Sequence, residues 1–423
     1  MNFLIISPSY PPWQTVGGLR AALMAKHLVQ KGHRCAVITL TQESLPRTDP
    51  EFVHMEKGVH EFRVSPGWVV PYTLKSANGR PPGFMHKLLR KFTTYWKLDD
   101  WYWWALKAAR AYIQKPYFTP DVVFSSALPF ASHIAGRILS HHFKAFWIAD
   151  YRDLWFDQPH MQVIHRERKR RSHMQKQVLA GAHLITCVSD AMITFLSNGL
   201  NIEIPIKTLM NAFDQDAHCC STYTGRILGH QLNFLYTGRL YEGYRDFQSF
   251  FKALAALRKR GCDLSLISVR YVGPDGQLFL RHAGIYQLGE LVKDLGMLPR
   301  KKALELQRQA DILLLSIGTG RDDEAMVLTG KVFEYLAARK PIFALGNTKG
   351  DLGRLLKQTR AGYIYRPDQL EEITSKLAEW FMAFSKTGTV PYEGVDEEIQ
   401  KHSWSNRVDE LVAIIQDLRN GRA

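Results

Sequence analysis

The segment Thr329-Gly330-Lys331-Val332-Phe333-Glu334-Tyr335-Leu336-Ala337-Ala338 puts one carboxylate about a turn inside a short helix. The apolar runs Ile312–Leu315 and Ile342–Leu345 flank it as strands, and Pro341 ends the helix between them. A helix that begins at the carboxyl end of a parallel strand points unpaired N–H groups at an anion. Thr329 reads as its N-cap. Glu334, acceptor-only when ionised, suits two adjacent hydroxyls of a ribose or hexose. An anion at the helix start and hydroxyls at the carboxylate together describe a nucleotide. The competing reading is a surface ion pair between Glu334 and Lys331, three residues apart on one helix face.

Other groups of residues carry compatible chemistry. Tyr236-Thr237-Gly238-Arg239 is followed by Arg245, and two fork-shaped donors six positions apart at a strand end suit a diphosphate whose charge grows as it leaves. Without a ligand, the same residues are a surface Arg245–Asp246 neighbourhood. Gly17-Gly18 opens a helix after the first strand, where the backbone can approach an anion closely. It is not G-x-G-x-x-G, and taken alone it is a tight turn. His133 and the pair Arg152-Asp153 fall just after two further strands, although a lone His and a neighbouring Arg-Asp pair are more often structural. Asp214-Gln215-Asp216 has the D-x-D form that holds a metal and a diphosphate, but it lies in a join between domains and reads as coincidental. No H-E-x-x-H, G-x-S-x-G or P-loop sequence occurs.

The elements that must position these residues alternate short apolar runs with helical stretches. Phe3–Ser7, Ala36–Leu40, Val122–Ser125, Ala145–Ile148 and Leu184–Val188 predict one doubly wound α/β half. Phe234–Tyr236, Leu264–Val269, Ile312–Leu315 and Ile342–Leu345 predict a second. The stretch from Asn211 to Gln231, polar and glycine-containing, joins them. Apolar residues at Val408, Leu411, Val412, Ile414, Ile415 and Leu418 predict a closing amphipathic helix over Trp404–Leu418. The expected domains are residues 1–212, 213–400 and a terminal helical segment 401–423.

A chain of 423 residues exceeds what one core usually organises, which agrees with two domains. The run Phe3–Ile6 follows the first Met with no basic n-region, so a strand rather than a signal peptide is expected there. No apolar run approaches the roughly 20 residues needed to span a bilayer. The five cysteines show neither a C-x-x-C pair nor disulfide-like density, which favours a reducing cytoplasm and disfavours structural zinc. The formal charge of +15 is unevenly placed. Lys75–Lys115 carries nine basic and two acidic residues among Trp96, Trp101, Trp103 and Trp104, and His165–Gln177 adds a further +5. Such segments suit an anionic membrane surface or a polyanion; the plainer reading is two solvated helices with their aromatic sides in the core.

Six segments in order resemble the retaining glycosyltransferases of the GT-B fold, family four, over nearly the whole chain. They are Tyr10-Pro11-Pro12 with Gly17-Gly18; Tyr151-Arg152-Asp153-Leu154-Trp155; Ala182 to Ser189; Met210-Asn211-Ala212-Phe213-Asp214; Tyr236-Thr237-Gly238-Arg239; and Lys331 to Leu336. The resemblance implies an α/β chain of two doubly wound Rossmann-like domains facing a cleft, with the C-terminal helix returning to the N-terminal domain. It implies a nucleotide-sugar donor held mainly by the second domain. Arg239, Arg245 and His133 would then be catalytic, and Gly17, Gly18, Gly238, Thr329, Lys331 and Glu334 would bind the donor. Arg152 and Asp153 fall on the acceptor side.

On that footing the expected activity is retaining transfer of a hexose-type sugar to a glycan or lipid-linked acceptor in cell-surface polysaccharide biosynthesis. No metal or other cofactor and no nucleic-acid partner are expected. The expected location is cytoplasmic, with the inner face of the membrane as an option for peripheral contact. The sequence departs from the family at Met326, where an E-x7-E pattern would place a second Glu, and the nearest carboxylate is Glu324. That departure leaves the donor open among glucose, 6-deoxy and acetamido hexoses. Two alternatives stand beside this reading: a GT-B-fold nucleotide-sugar epimerase, and a non-catalytic basic protein that binds membranes or polyanions.

Overall fold

The computed structural model describes residues 1–13, 15–46, 48–49, 57–66, 74, 88, 99–155, 165–219, 231–318 and 328–421. Its strands are β1 (Asn2–Ile6), β2 (Arg34–Leu40), β3 (Val59–Val64), β4 (Val122–Ala127), β5 (Phe146–Tyr151), β6 (Leu184–Cys187) and β7 (Ile206–Thr208), then β8 (Leu232–Thr237), β9 (Ile267–Val272), β10 (Val292–Asp294), β11 (Ile312–Ser316), β12 (Ile342–Leu345) and β13 (Gly362–Tyr365). They form two parallel sheets, ordered β3-β2-β1-β4-β5-β6-β7 and β10-β9-β8-β11-β12-β13. The central strands read as unbroken apolar runs because helices cover both faces of each sheet. Both sheets run outward in one direction from β1 or β8 and in the other from β4 or β11. The strand order therefore reverses between β1 and β4 and again between β8 and β11, and ligands of open parallel sheets gather outside the strand ends at such points.

The chain divides into two compact units, Met1–Met210 with Val408–Ala423, and Asn211–Arg407. The closing helix runs from Trp404 to Arg419. Its later part belongs to the first unit, where Lys31 Nζ pairs with Asp409, and Arg419 Nη2 donates to the Asp121 carbonyl at 2.6 Å. The segment entering the second unit pairs with the one leaving it. Phe213 N–H donates to His402 O at 3.1 Å, and Trp404 N–H to Phe213 O at 3.0 Å.

Packing in the second unit centres on aromatic side chains beneath its sheet. Phe250 meets Phe234 edge-on at 5.2 Å and Phe343 at 5.6 Å, and Tyr271 stacks on Phe279 at 5.1 Å. In the first unit, Trp147 of β5 and Trp104 of the helix Tyr102–Gln114 have no exposed surface. Trp104 Nε1 donates to the Val64 carbonyl at 3.2 Å. Two of the four tryptophans in the basic segment, Trp101 and Trp104, are thus core residues, whereas Trp103 is exposed. Trp96 and most of the segment from Lys75 to Leu98 lie outside the described residues.

Candidate functional site

In the second unit the chain leaves β8 through a turn that only glycine enters without strain. Gly238 has φ +111, and a β-carbon there would stand 2.3 Å from Lys331 Cε. The turn is pinned on every side. Gly238 N–H donates to Val272 O at 2.7 Å, Tyr271 Oη donates to Gly238 O at 2.9 Å, and Asp275 Oδ2 accepts from Leu240 N–H at 2.9 Å. A fixed backbone brings the stem of Lys331, on the helix Lys331–Ala338 that follows β11, against the end of β8.

Three basic residues share this corner. The Arg239 carbonyl accepts from Tyr236 Oη at 2.7 Å, from Arg245 Nη1 at 3.3 Å and from Lys331 Nζ at 3.4 Å. Lys331 Nζ also donates to Tyr236 Oη at 2.8 Å. Arg245 lies over the Tyr241 ring at 4.9 Å, and its buried Nε has no hydrogen-bond partner among the described residues. The Arg239 side chain is exposed. Burial, and then the nearby Arg245, push the Lys331 ammonium well below its ordinary value, while Glu334 and Asp275 pull it back up. Two cations held together, one with an orphaned N–H, make a site that favours an anion.

Glu334 does not pair with Lys331. Arg300, the first residue of the helix Arg300–Gln309, donates to Glu334 Oε1 through Nε at 3.2 Å and Nη2 at 2.9 Å. The Glu334 side chain keeps 21% of its surface exposed. Thr329 is not the N-cap: Gly330 takes that position, and Thr329 Oγ1 accepts only a long 3.4 Å bond from Lys331 N–H. Tyr335 of the same helix fixes it to β8, since its Oη accepts from Thr237 N–H at 3.1 Å. Glu324 and Met326 lie outside the described residues. Asp214 Oδ1 accepts from Asp216 N–H at 3.2 Å, which is helix-start chemistry, and the described residues contain no group of three or more His, Cys, Asp or Glu arranged to hold a metal.

The first unit presents its own corner at the ends of β1, β4 and β5. Gly17 and Gly18 lie in the first turn of the helix Val16–Gln30, whose N-cap Thr15 accepts from Gly18 N–H at 3.0 Å. A β-carbon on Gly17 would stand 1.4 Å from Arg152 Nη1, so glycine makes room for a guanidinium at the helix start. Arg152 Nε also donates to Asp153 at 3.1 Å. Arg152 therefore shares a corner with the proposed donor glycines, although the sequence reading put it on the acceptor side.

Beneath that corner Asp150, with no exposed surface, accepts four hydrogen bonds. Arg20 donates through Nε at 3.0 Å and Nη2 at 2.8 Å, Ser126 Oγ at 2.8 Å and Thr186 Oγ1 at 2.9 Å. Arg20 donates further to the Leu209 and Met210 carbonyls, at 2.8 and 3.3 Å. Helix start, three strand ends and the last residues of the unit are thereby tied to one carboxylate.

His133 has no exposed surface. Its Nδ1 meets Ser125 Oγ at 2.8 Å, its Nε2 has no hydrogen-bond partner among the described residues, and the Phe130 and Tyr151 rings lie at 4.9 and 5.4 Å. Burial pushes the imidazole down to about 3, so it is neutral at physiological pH. The sequence places His133 at a donor sugar; the structure seals it behind aromatic rings. Asp99 Oδ2 accepts from Ala131 N–H at 3.0 Å, two residues before His133, and burial pushes that carboxyl up to about 7.

Residues 17–205 match the glycosyl transferase 4-like domain. The chain has the GT-B fold, with that domain in its first unit. Its fold is similar to that of a sucrose-phosphate synthase from Thermosynechococcus elongatus, with a TM-score of 0.66, 14% identity and 99% of each chain covered. An α,α-trehalose-phosphate synthase (UDP-forming) from Burkholderia vietnamiensis gives a TM-score of 0.65 at 13% identity, covering 100% of this chain and 99% of that one. The Anabaena protein HepE, in complex with UDP and glucose, gives 0.63 at 15% identity, covering 99% of this chain and 100% of HepE. At such identities these likenesses carry the fold. Among curated proteins no sequence matches this chain.

Sequence reasoning did not single out Arg20, Asp150 or Arg300. A charged residue ending an apolar strand, as Asp150 does, was the available signal; Arg300 carried none, because its partner is 34 residues away. Removing one member of a buried, fully bonded pair leaves an uncompensated charge. Arg20→Met is expected to lower the unfolding free energy by about 3–5 kcal/mol in urea titrations followed by tryptophan fluorescence. Arg20→Met with Asp150→Leu should recover more than half of that loss. A single substitution with no effect on the midpoint would contradict the role given to the pair.

Proposed function

We propose that this protein is a glycosyltransferase that moves a hexose-type sugar, with retention at the anomeric carbon and without a metal, from a nucleoside-diphosphate donor to a glycan or lipid-linked acceptor in cell-surface polysaccharide assembly. The observation that carries this reading is the corner of Arg239, Arg245 and Lys331 at the end of β8, where an orphaned guanidinium N–H and a depressed ammonium together call for an anion. A leaving diphosphate supplies that anion. As the bond from the anomeric carbon to the diphosphate oxygen breaks, charge grows where these donors already stand, and donors that need no reorganisation stabilise such charge most. Glu334 would accept from the ribose hydroxyls through Oε2, the oxygen that Arg300 does not bond. HepE was solved with UDP and glucose, which makes a UDP-hexose the first donor to try. Gly17, Gly18 and Arg152 form the first unit's anion-favouring corner, Asp153 is kept for the acceptor, and His133 supports the turn rather than touching the sugar.

Lys331→Met and Arg245→Met are each expected to lower kcat/KM about 100-fold, roughly 3 kcal/mol of transition-state stabilisation. The melting temperature should stay within a few degrees of the parent, and the product should keep the donor's anomeric configuration by proton NMR. Parent-like turnover in both variants would sink the assignment. Isomerised donor in the absence of any acceptor would favour the epimerase instead.

We place the acceptor at an anionic membrane surface. Among the described residues no helix is long and apolar enough to cross a membrane. The helix His165–Leu179 exposes Arg168 and Lys169, with Lys176 half-buried on it. Each basic residue near such a surface contributes about 1 kcal/mol. Changing Arg168, Lys169 and Lys176 together to Gln should therefore weaken sedimentation with phosphatidylserine-containing liposomes by tenfold or more; undiminished sedimentation would remove the membrane from the reading.

A further inference from the structure

Glu334 is the only member of the donor-binding set for which the structure supplies a dedicated partner from another helix among the described residues. Both Arg300 donors converge on Oε1, at 3.2 and 2.9 Å, and the two side chains keep 14% and 21% of their surface. Lys331, the cation nearest in sequence, is turned away to Tyr236 and the Arg239 carbonyl. The helices that carry Arg300 and Glu334 are latched to one residue of β8: Thr237 Oγ1 accepts from Gln307 Nε2 at 3.1 Å, and Thr237 N–H donates to Tyr335 Oη at 3.1 Å. Neither end of the Arg300–Glu334 pair is therefore free to slide.

We propose that Arg300 is a positioning residue for the nucleoside half of the donor, turning the Glu334 carboxylate so that Oε2 keeps both lone pairs for a ribose diol. This rests on the reading of Glu334 given under the proposed function. A carboxylate on a flexible stem otherwise samples several rotamers, and ordering it on binding would cost part of the energy gained. A guanidinium fork on one oxygen orders it beforehand and leaves the other oxygen to accept from a ligand. The consequence is selectivity: a site built to bond a hydroxyl discriminates against the ligand that lacks it. Arg300 thus sets how strongly the enzyme distinguishes a ribonucleotide from its 2′-deoxy counterpart, while the diphosphate corner sets total affinity.

The experiment measures Kd by isothermal titration for UDP, GDP and ADP, and then for the 2′-deoxy form of the one bound most tightly. The parent should favour the ribose form by about tenfold or more. Arg300→Met and Glu334→Gln should each reduce that preference below about threefold, the double variant should reduce it no further, and Arg300→Lys should lie between. Melting temperatures within a few degrees of the parent exclude a folding defect, which would weaken both ligands equally and leave their ratio intact. Retention of the full preference in Arg300→Met, with its loss in Glu334→Gln, overturns the inference and leaves the ribose reading of Glu334 standing. A parent that binds a nucleoside diphosphate without preferring ribose overturns both. A parent that binds none of the three overturns the proposed function, and this inference with it.

Discussion

Parallel strands covered by helices on both faces leave one place for chemistry, the ends where the chain turns from strand to helix. Every residue assigned to the site obeys that constraint. Gly17 and Gly18 follow β1, His133 follows β4, and Arg152 follows β5; Gly238, Arg239 and Arg245 follow β8, and Lys331 and Glu334 lie on the helix after β11. In both sheets the pairs β1/β4 and β8/β11 are where the strand order reverses. The same topology, built twice, yields two corners made of glycine turns, helix starts and arginine.

The two corners handle charge in opposite ways. Beneath the first, Arg20 and Asp150 neutralise one another, and every oxygen of the carboxylate is bonded. The pair asks for no ligand and serves as a fastening. At the second, Arg245 and Lys331 meet around a carbonyl, Arg245 Nε has no hydrogen-bond partner among the described residues, and burial depresses Lys331. Such an arrangement opposes its own stability unless an anion completes it, and misplaced stability of this kind commonly marks function.

The strands and helices were unevenly legible. Each of the nine strands expected from apolar runs exists, and the edge strands β3, β7, β10 and β13 were missed. Most of their residues are half-buried or exposed, so they lack the continuous apolar run that identifies a strand covered on both faces. Leu264–Leu266 was read as strand but forms a 3-10 turn, and β9 starts at Ile267. At the site, position was legible and partnership was not. Glycine turns and helix starts announce themselves locally, whereas Arg300 with Glu334, or Arg20 with Asp150, meet only once the sheet has ordered distant segments. His133 shows the same limit from the other side, since its place at a strand end gave no sign of the rings that enclose it.

Completion of the corner at the end of β8 by a nucleoside diphosphate is the proposal on which the functional reading stands, and a crystal structure of the protein with a bound ribonucleoside diphosphate tests it. The account predicts phosphate oxygens within hydrogen-bond distance of Arg245 and Lys331, with the ribose hydroxyls on Glu334. A nucleotide bound elsewhere, with Arg245 Nε still unpaired and Glu334 touching only Arg300, would contradict it.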